Sequence, residues 1–205
     1  PTPAPRPTLG RPAFVAAGLV LLALLLIAGG AKYFFSAKSP VTSTSEYTQI
    51  TNFTDSAVAP SLSPDGRMVT FIGGGEFFLY RGAQIYVKLL PNGESVRLTT
   101  DPGLKYGPVF TPDGSRIAYT QLSTAGATIP WDTWTVPVLG GQPTRLLPNA
   151  SGLTWITDQR VLFSEIKTGL HMGIVTATES RAESREIYFP THERAMAHYS
   201  YASPD

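Results

Sequence analysis

Four aspartates recur along most of the chain, Asp65, Asp113, Asp158 and Asp205, at intervals of 48, 45 and 47 residues. Carboxylates that converge can share proton-transfer work or hold a cation. Asp65 and Asp113 are not expected to converge, because each stands at the equivalent place of a separate repeat. They sit in Ser63-Pro64-Asp65-Gly66 and Thr111-Pro112-Asp113-Gly114. In such a turn the carboxylate accepts hydrogen bonds from nearby backbone N–H groups. Pro64, Asp65, Gly66, Pro112, Asp113, Gly114 and Asp158 are therefore assigned to turn structure. His171, His192 and His198 have no metal-ligand spacing, and the last two fall in a connection between repeats. With no Cys, disulfide scaffolds, zinc fingers, iron–sulfur sites and thiol nucleophiles are excluded together. Gly73-Gly74-Gly75 lacks the Gly-Lys-Ser/Thr ending of a phosphate loop. No G-x-S-x-G elbow and no kinase signature is present either. The chain is thus expected to carry no catalytic, cofactor-binding or metal-ligating residue. Trp131, Trp134 and Trp155, with Tyr86, Tyr106, Tyr119 and Tyr199, read mainly as packing between repeats.

The elements that position these residues come from the repeat itself. APSLSPDGRMVTFI (59–72) returns as GPVFTPDGSRIAYT (107–120), then in degenerate form, one residue shorter, as SGLTWITDQRVLFS (151–164). AHYSYASPD (197–205) begins it a fourth time. Ser or Thr at the first turn position, Pro at the second and Gly at the fourth suit a type I turn closed by a left-handed residue. The third copy lacks the Pro and the Gly. After each turn comes a run such as Met68-Val69-Thr70-Phe71-Ile72 or Ile117-Ala118-Tyr119-Thr120. Such near-continuous apolar runs mark strands covered on both faces. A second hairpin follows in every copy, with Pro91-Asn92-Gly93 or Gly140-Gly141 at its tip. Four short strands per unit of about 45 residues is the pattern of a β-propeller blade.

The expected fold class is therefore all-β: a propeller of four-stranded blades over 47–205, preceded by one transmembrane helix. The blades are placed at about 52–99, 100–147 and 148–189, with the next starting at 190–205. Tyr47–Thr51 resembles the final strands around Arg97 and Arg145 and is expected to be an orphan outer strand, of the kind that completes the final blade of a closed propeller, a blade expected to be absent here. Three blades and two fragments fall short of the usual 4–8, so a truncated ring is expected.

The N-terminal part is a different object. Arg6, Arg11, Lys32 and Lys38 are its only charges up to residue 38, against 16 Lys+Arg and 15 Asp+Glu in the whole chain. The first 38 residues are thus +4 and the remainder −3. Ala13–Ala31 has no charge, and at 1.5 Å per residue a helix of that length spans roughly 28 Å, close to the hydrocarbon core of a bilayer. Lys32-Tyr33-Phe34-Phe35 supplies the cation and aromatics of an interface. A Pro-rich linker (1–12), a transmembrane helix (13–35) in contact with the lipid bilayer and a Ser/Thr-rich linker (36–46) are expected. A cleaved signal peptide is the competing reading, with small residues at Ala28-Gly29-Gly30-Ala31. The two cations on either side give no orientation.

The pattern x-P-x-[FLW]-[ST]-P-D-G-x-x-[IMV]-[AV]-[YF] resembles the WD-like repeat of TolB-type β-propellers. It matches at 60–71 and 108–119, partly at 153–163, and in its first half at 198–205. Together with the span, the chain looks like the anchor and outer propeller of bacterial signalling proteins that carry a Ser/Thr kinase or winged-helix domain on the N-terminal side. The resemblance implies a membrane-anchored, extracytoplasmic module in the bacterial cytoplasmic membrane. It would bind a protein, peptide or glycan through Gly103–Pro108, Ser123–Asp132 and Pro190–His198, all read as loops. It implies no cofactor, and the acidic domain offers no basic stripe for nucleic acid. Two alternatives stay open: the gating propeller of a prolyl-oligopeptidase-like serine peptidase, or a TolB-like periplasmic scaffold.

Overall fold

The computed structural model describes residues 20, 22, 26, 48–51, 55–75, 82–123 and 130–203. The chain divides into two units, Pro1–Tyr47 and Thr48–Asp205. In the first, both linkers and nearly all of the expected span 13–35 lie outside the described residues. Val20, Leu22 and Leu26 are helical and exposed. Among the described residues no helix is long and apolar enough to cross a membrane.

The second unit is all-β. Among the described residues, twelve strands form three antiparallel four-stranded meanders. The first contains β1 (Ala57–Leu62), β2 (Met68–Gly73), β3 (Gln84–Leu89) and β4 (Ser95–Arg97). The second contains β5 (Leu104–Phe110), β6 (Arg116–Leu122), β7 (Trp131–Pro137) and β8 (Thr144–Leu147). The third contains β9 (Ser151–Trp155), β10 (Arg160–Thr168), β11 (His171–Thr178) and β12 (Arg185–Tyr188). The register repeats with the sequence: Phe71 pairs with Tyr86, and 48 residues later Tyr119 pairs with Trp134. Thr48–Thr51 is not in a strand; the outer strand expected there is an orphan that would pair only within a closing blade. A strand of that kind forms only by hydrogen bonding to a neighbour, and none of the twelve pairs with it.

The meanders stack face to face. β5 packs against β1, β2 and β3, and β9 against β5, β6 and β7. The apolar residues of the middle strands fill the two interfaces this creates. Ile72, Ile85, Val87, Phe110, Ile117 and Val136 make the first core; Leu147, Leu153, Val161, Phe163 and Val175 lie in the second. Burying each such side chain contributes about 1.5–3 kcal/mol, so a blade is stabilised largely by its neighbour. This explains the unbroken apolar runs: β2, β6 and β11 are covered on both faces, while outer strand β12 is exposed along its length.

The turns repeat in atomic detail. Ser63 Oγ donates to Asp65 Oδ1 (2.6 Å), which also accepts from Arg67 N (3.0 Å). Thr111 Oγ1 donates to Asp113 Oδ1 (2.5 Å), which accepts from Ser115 N (3.0 Å). Gly66 and Gly114 follow at φ 69° and 68°. In the third copy the hydroxyl has changed place. Thr157 Oγ1 accepts from Gln159 N (3.3 Å) and Arg160 N (3.2 Å), and Asp158 is exposed. Deleting one residue shortens the reach from the strand to the turn, so the residue before the aspartate holds the loop.

Candidate functional site

The innermost strand of each meander carries a bulge at the same place. Pairing slips between Val58 and Ser61, between Tyr106 and Val109, and between the partners Ser151 and Thr154. The extra residue is left-handed each time: Ala59 (φ 50°), Gly107 (52°) and Gly152 (58°). Tyr199, the matching position of the fourth copy, has φ 56°. Glycine takes this conformation freely, whereas Ala59 and Tyr199 do so at a cost of about 1 kcal/mol or more. A bulge turns the strand and exposes backbone that would otherwise pair. Gly152 N uses this freedom to donate to Thr120 Oγ1 of the neighbouring blade (2.8 Å).

Along these bulged strands runs a groove made of two cavities, about 380 and 430 Å³, with Ser61, Val109 and Tyr201 common to both. Ala59, Gly107, Gly152 and Tyr199 line the first. Pro64, Pro112, Trp155 and Asp158 line the second. The turn residues thus gather at one end of the groove. Asp113 and Asp158, at equivalent positions on adjacent blades, also border a single polar cleft of about 250 Å³ with Arg116 and Glu179. Glu179 is held there by Arg116 Nη2 (3.1 Å) and Trp155 Nε1 (3.1 Å). Among the described residues no group of three His, Cys, Asp or Glu is placed to hold a metal. Hydroxyl and backbone hydrogen bonds hold Asp65 below the usual carboxylate range, and similar bonds bring Asp113 down to about 2.

Beside the groove an aromatic cluster draws on all three segments that the sequence marked as binding loops. Tyr106 and Trp131 stack at 6.4 Å, Trp131 meets His198 edge-on at 5.3 Å, and His198 lies 4.1 Å from Tyr199. Two of these segments are not simple loops: Leu104–Pro108 belongs to β5 and Trp131–Asp132 to β7. The bulge at Gly107 gives β5 the irregular composition that reads as a loop. Residues 124–129 lie outside the described part. Burial lowers the pKa of His198, and its Nε2 is buried without a partner among the described residues. His171 is separate: it is buried on Phe189 with Nε2 2.8 Å from Pro190 O, and His192 is exposed. Tyr86 stacks on Phe71 at 5.6 Å, and Tyr119 is fully buried.

One cluster carries no motif. Lys105 is fully buried, with Nζ donating to Asp101 O (2.8 Å), Asp101 Oδ1 (3.1 Å) and Gly103 O (2.9 Å). Asp101 Oδ1 also accepts from Gly103 N and Gln121 Nε2, both at 3.0 Å. The i, i+4 spacing of Asp101 and Lys105 is visible in the sequence, but nothing local marks the lysine as buried.

Three stacked four-stranded meanders with bulged inner strands and interblade cores define a β-propeller, and the fold is that of TolB-type propellers. The chain is similar to TolB from Acinetobacter baumannii over 74% of its length and 37% of that chain (TM-score 0.58, 21% identity). It is similar to the putative TolB from Agrobacterium tumefaciens over 65% of its length and 49% of that chain (0.52, 19%). It also resembles an oligogalacturonate lyase solved in complex with manganese, over 73% of its length and 46% of that chain (0.53, 14%). The chain thus spans less than half the length of each of these proteins. No protein-family model and no curated protein matches it.

Proposed function

We propose that this chain is a membrane-anchored, extracytoplasmic propeller module that binds a protein, peptide or glycan and reports its binding to a signalling domain across the bilayer. The observation that supports this reading best is the groove of the bulged inner strands, with its aromatic cluster assembled from three distant segments. Propellers recognise partners on faces built from such connections. The anchor rests on the uncharged Ala13–Ala31 stretch and its flanking cations. The likeness to TolB supports a periplasmic setting, and it equally favours a free periplasmic scaffold with the same groove.

A reporter fused after Ser45 separates these readings. Activity of a periplasmic reporter in the membrane fraction is the expected result. Activity confined to the cytoplasm overturns the placement, and release into the soluble periplasm favours the free scaffold. A photo-crosslinking residue at Pro60, on the groove wall, should give one discrete adduct in cells. Labelling no different from that at Leu139, an exposed turn residue, would count against recognition at the groove.

A further inference from the structure

A separate cleft of about 390 Å³, sharing no lining residue with the groove, opens between the first two blades. Leu98, Asp101, Gln121, Trp134, Gln142 and Pro143 border it. We propose that this cleft binds a neutral pyranose unit of an oligosaccharide, with the C–H face of the sugar on Trp134 and its hydroxyls on Asp101, Gln121 and Gln142.

The chemistry of the walls argues for a sugar. Trp134 packs on the first core and is partly exposed where it borders the cleft. It therefore presents a rigid apolar surface whose position is set by the fold. Polar groups surround it, a combination that suits a ligand with one apolar face and a rim of hydroxyls. A lipid chain would leave those groups unpaired, which is costly.

Asp101 is built to accept. Its Oδ1 takes three hydrogen bonds, from Gly103 N, Lys105 Nζ and Gln121 Nε2. These hold the carboxylate in place and leave Oδ2 as an acceptor on a side chain 35% exposed. Lys105, at 0% exposure, spends all its donors inside this cluster. It cancels the carboxylate charge from behind without offering a contact to the cleft. The site is therefore close to neutral while keeping a strong acceptor, which favours a neutral sugar over a cationic or uronic one. Gln121 donates to Asp101 through Nε2 and keeps its oxygen as an acceptor. Exposed Gln142 supplies both a donor and an acceptor.

The test uses the full chain and tryptophan emission. Maltohexaose, cellohexaose and chitohexaose are the neutral probes, and trigalacturonate is the anionic control. At least one neutral oligosaccharide is expected to give a saturable change at millimolar concentration, with trigalacturonate giving none. Trp134→Phe should abolish that change. Gln142→Ala, at an exposed position that leaves packing untouched, should weaken binding about tenfold. The proposal is overturned if none of the three neutral probes binds, if Trp134→Phe retains the full signal, or if Gln142→Ala binds as tightly as the parent chain. A change that survives Trp134→Phe would report binding at the inner groove and not at this cleft.

Discussion

The ring of Tyr199 lies so close to Gly107 that a methyl group added to the glycine would stand 2.8 Å from Cε1 of the tyrosine. The same ring covers Gly152, where an added methyl would come 3.1 Å from Cδ1. The fourth copy of the repeat therefore seats its own bulge residue, Tyr199 at φ 56°, against the bulges of the second and third. Gly107→Ala should cost about 2 kcal/mol, part from the left-handed φ and part from the clash. In the Gly107→Ala, Tyr199→Ala double variant the clash is gone and the backbone strain remains. The total should then fall short of the sum of the two single changes, as a double-mutant cycle in urea would register. Strict additivity would show that the two residues do not touch.

The turn carboxylates set an acid limit. Asp113 is held at about 2 by Thr111 and Ser115, against an ordinary value of 3.8. A folded-state pKa below the unfolded one stabilises the fold above the unfolded value, and the contribution is lost as pH falls towards the folded value. The stability advantage of the parent over Asp113→Asn should be full above about pH 4 and gone near pH 2. A gap between the two unfolding midpoints that stays constant from pH 5 to about pH 2 would refute the assignment.

In the third turn the work passes from aspartate to threonine. Thr157→Ala removes the acceptor for two backbone N–H groups and should destabilise the fold by about 1 kcal/mol. Asp158→Ala, at an exposed position, should stay within about 0.5 kcal/mol of the parent. Thermal unfolding of both variants checks the order, and the reverse order would restore Asp158 as the turn residue.

Tyr119 carries a hydroxyl that no described residue engages. It occupies the site filled by Phe71 in the first blade and Phe163 in the third, and its OH is buried without a hydrogen-bond partner among the described residues. Burial, with the charge of Asp101 adding to it, pushes the phenol pKa above its ordinary value. Tyr119→Phe should raise stability by about 1 kcal/mol, since it removes a desolvated polar group and keeps the ring. A loss of stability on chemical denaturation would reveal a partner for the hydroxyl.

Much of this architecture was legible before any coordinates. Ser63-Pro64-Asp65-Gly66 and its copy dictate a turn through residues at most five apart, and the runs after them dictate strands buried on both faces. Those are local rules of hydrogen bonding and side-chain periodicity, so the blade count could be read directly. The outer strand expected at Tyr47–Thr51 depends on a partner from a closing blade, because a strand is defined by what it pairs with, and no described strand supplies that partner. Thr157 was passed over because a single deletion moved the acceptor one position away from the aspartate of the motif.

The functional surfaces depend on longer distances. Tyr106, Trp131 and His198 are far apart in the chain and meet only when blades stack. The gathering of Asp113 and Asp158 on one cleft depends on the same stacking, as does the burial of Lys105 behind Asp101. The amino-acid sequence by itself determined the repeat, its turns and the all-β blade, because each of these closes within a few residues. Only the tertiary structure decided which repeats touch, which bulges line the groove and which charge is withdrawn from water. Those outcomes follow from packing whole blades against one another, and no spacing within a single blade encodes them.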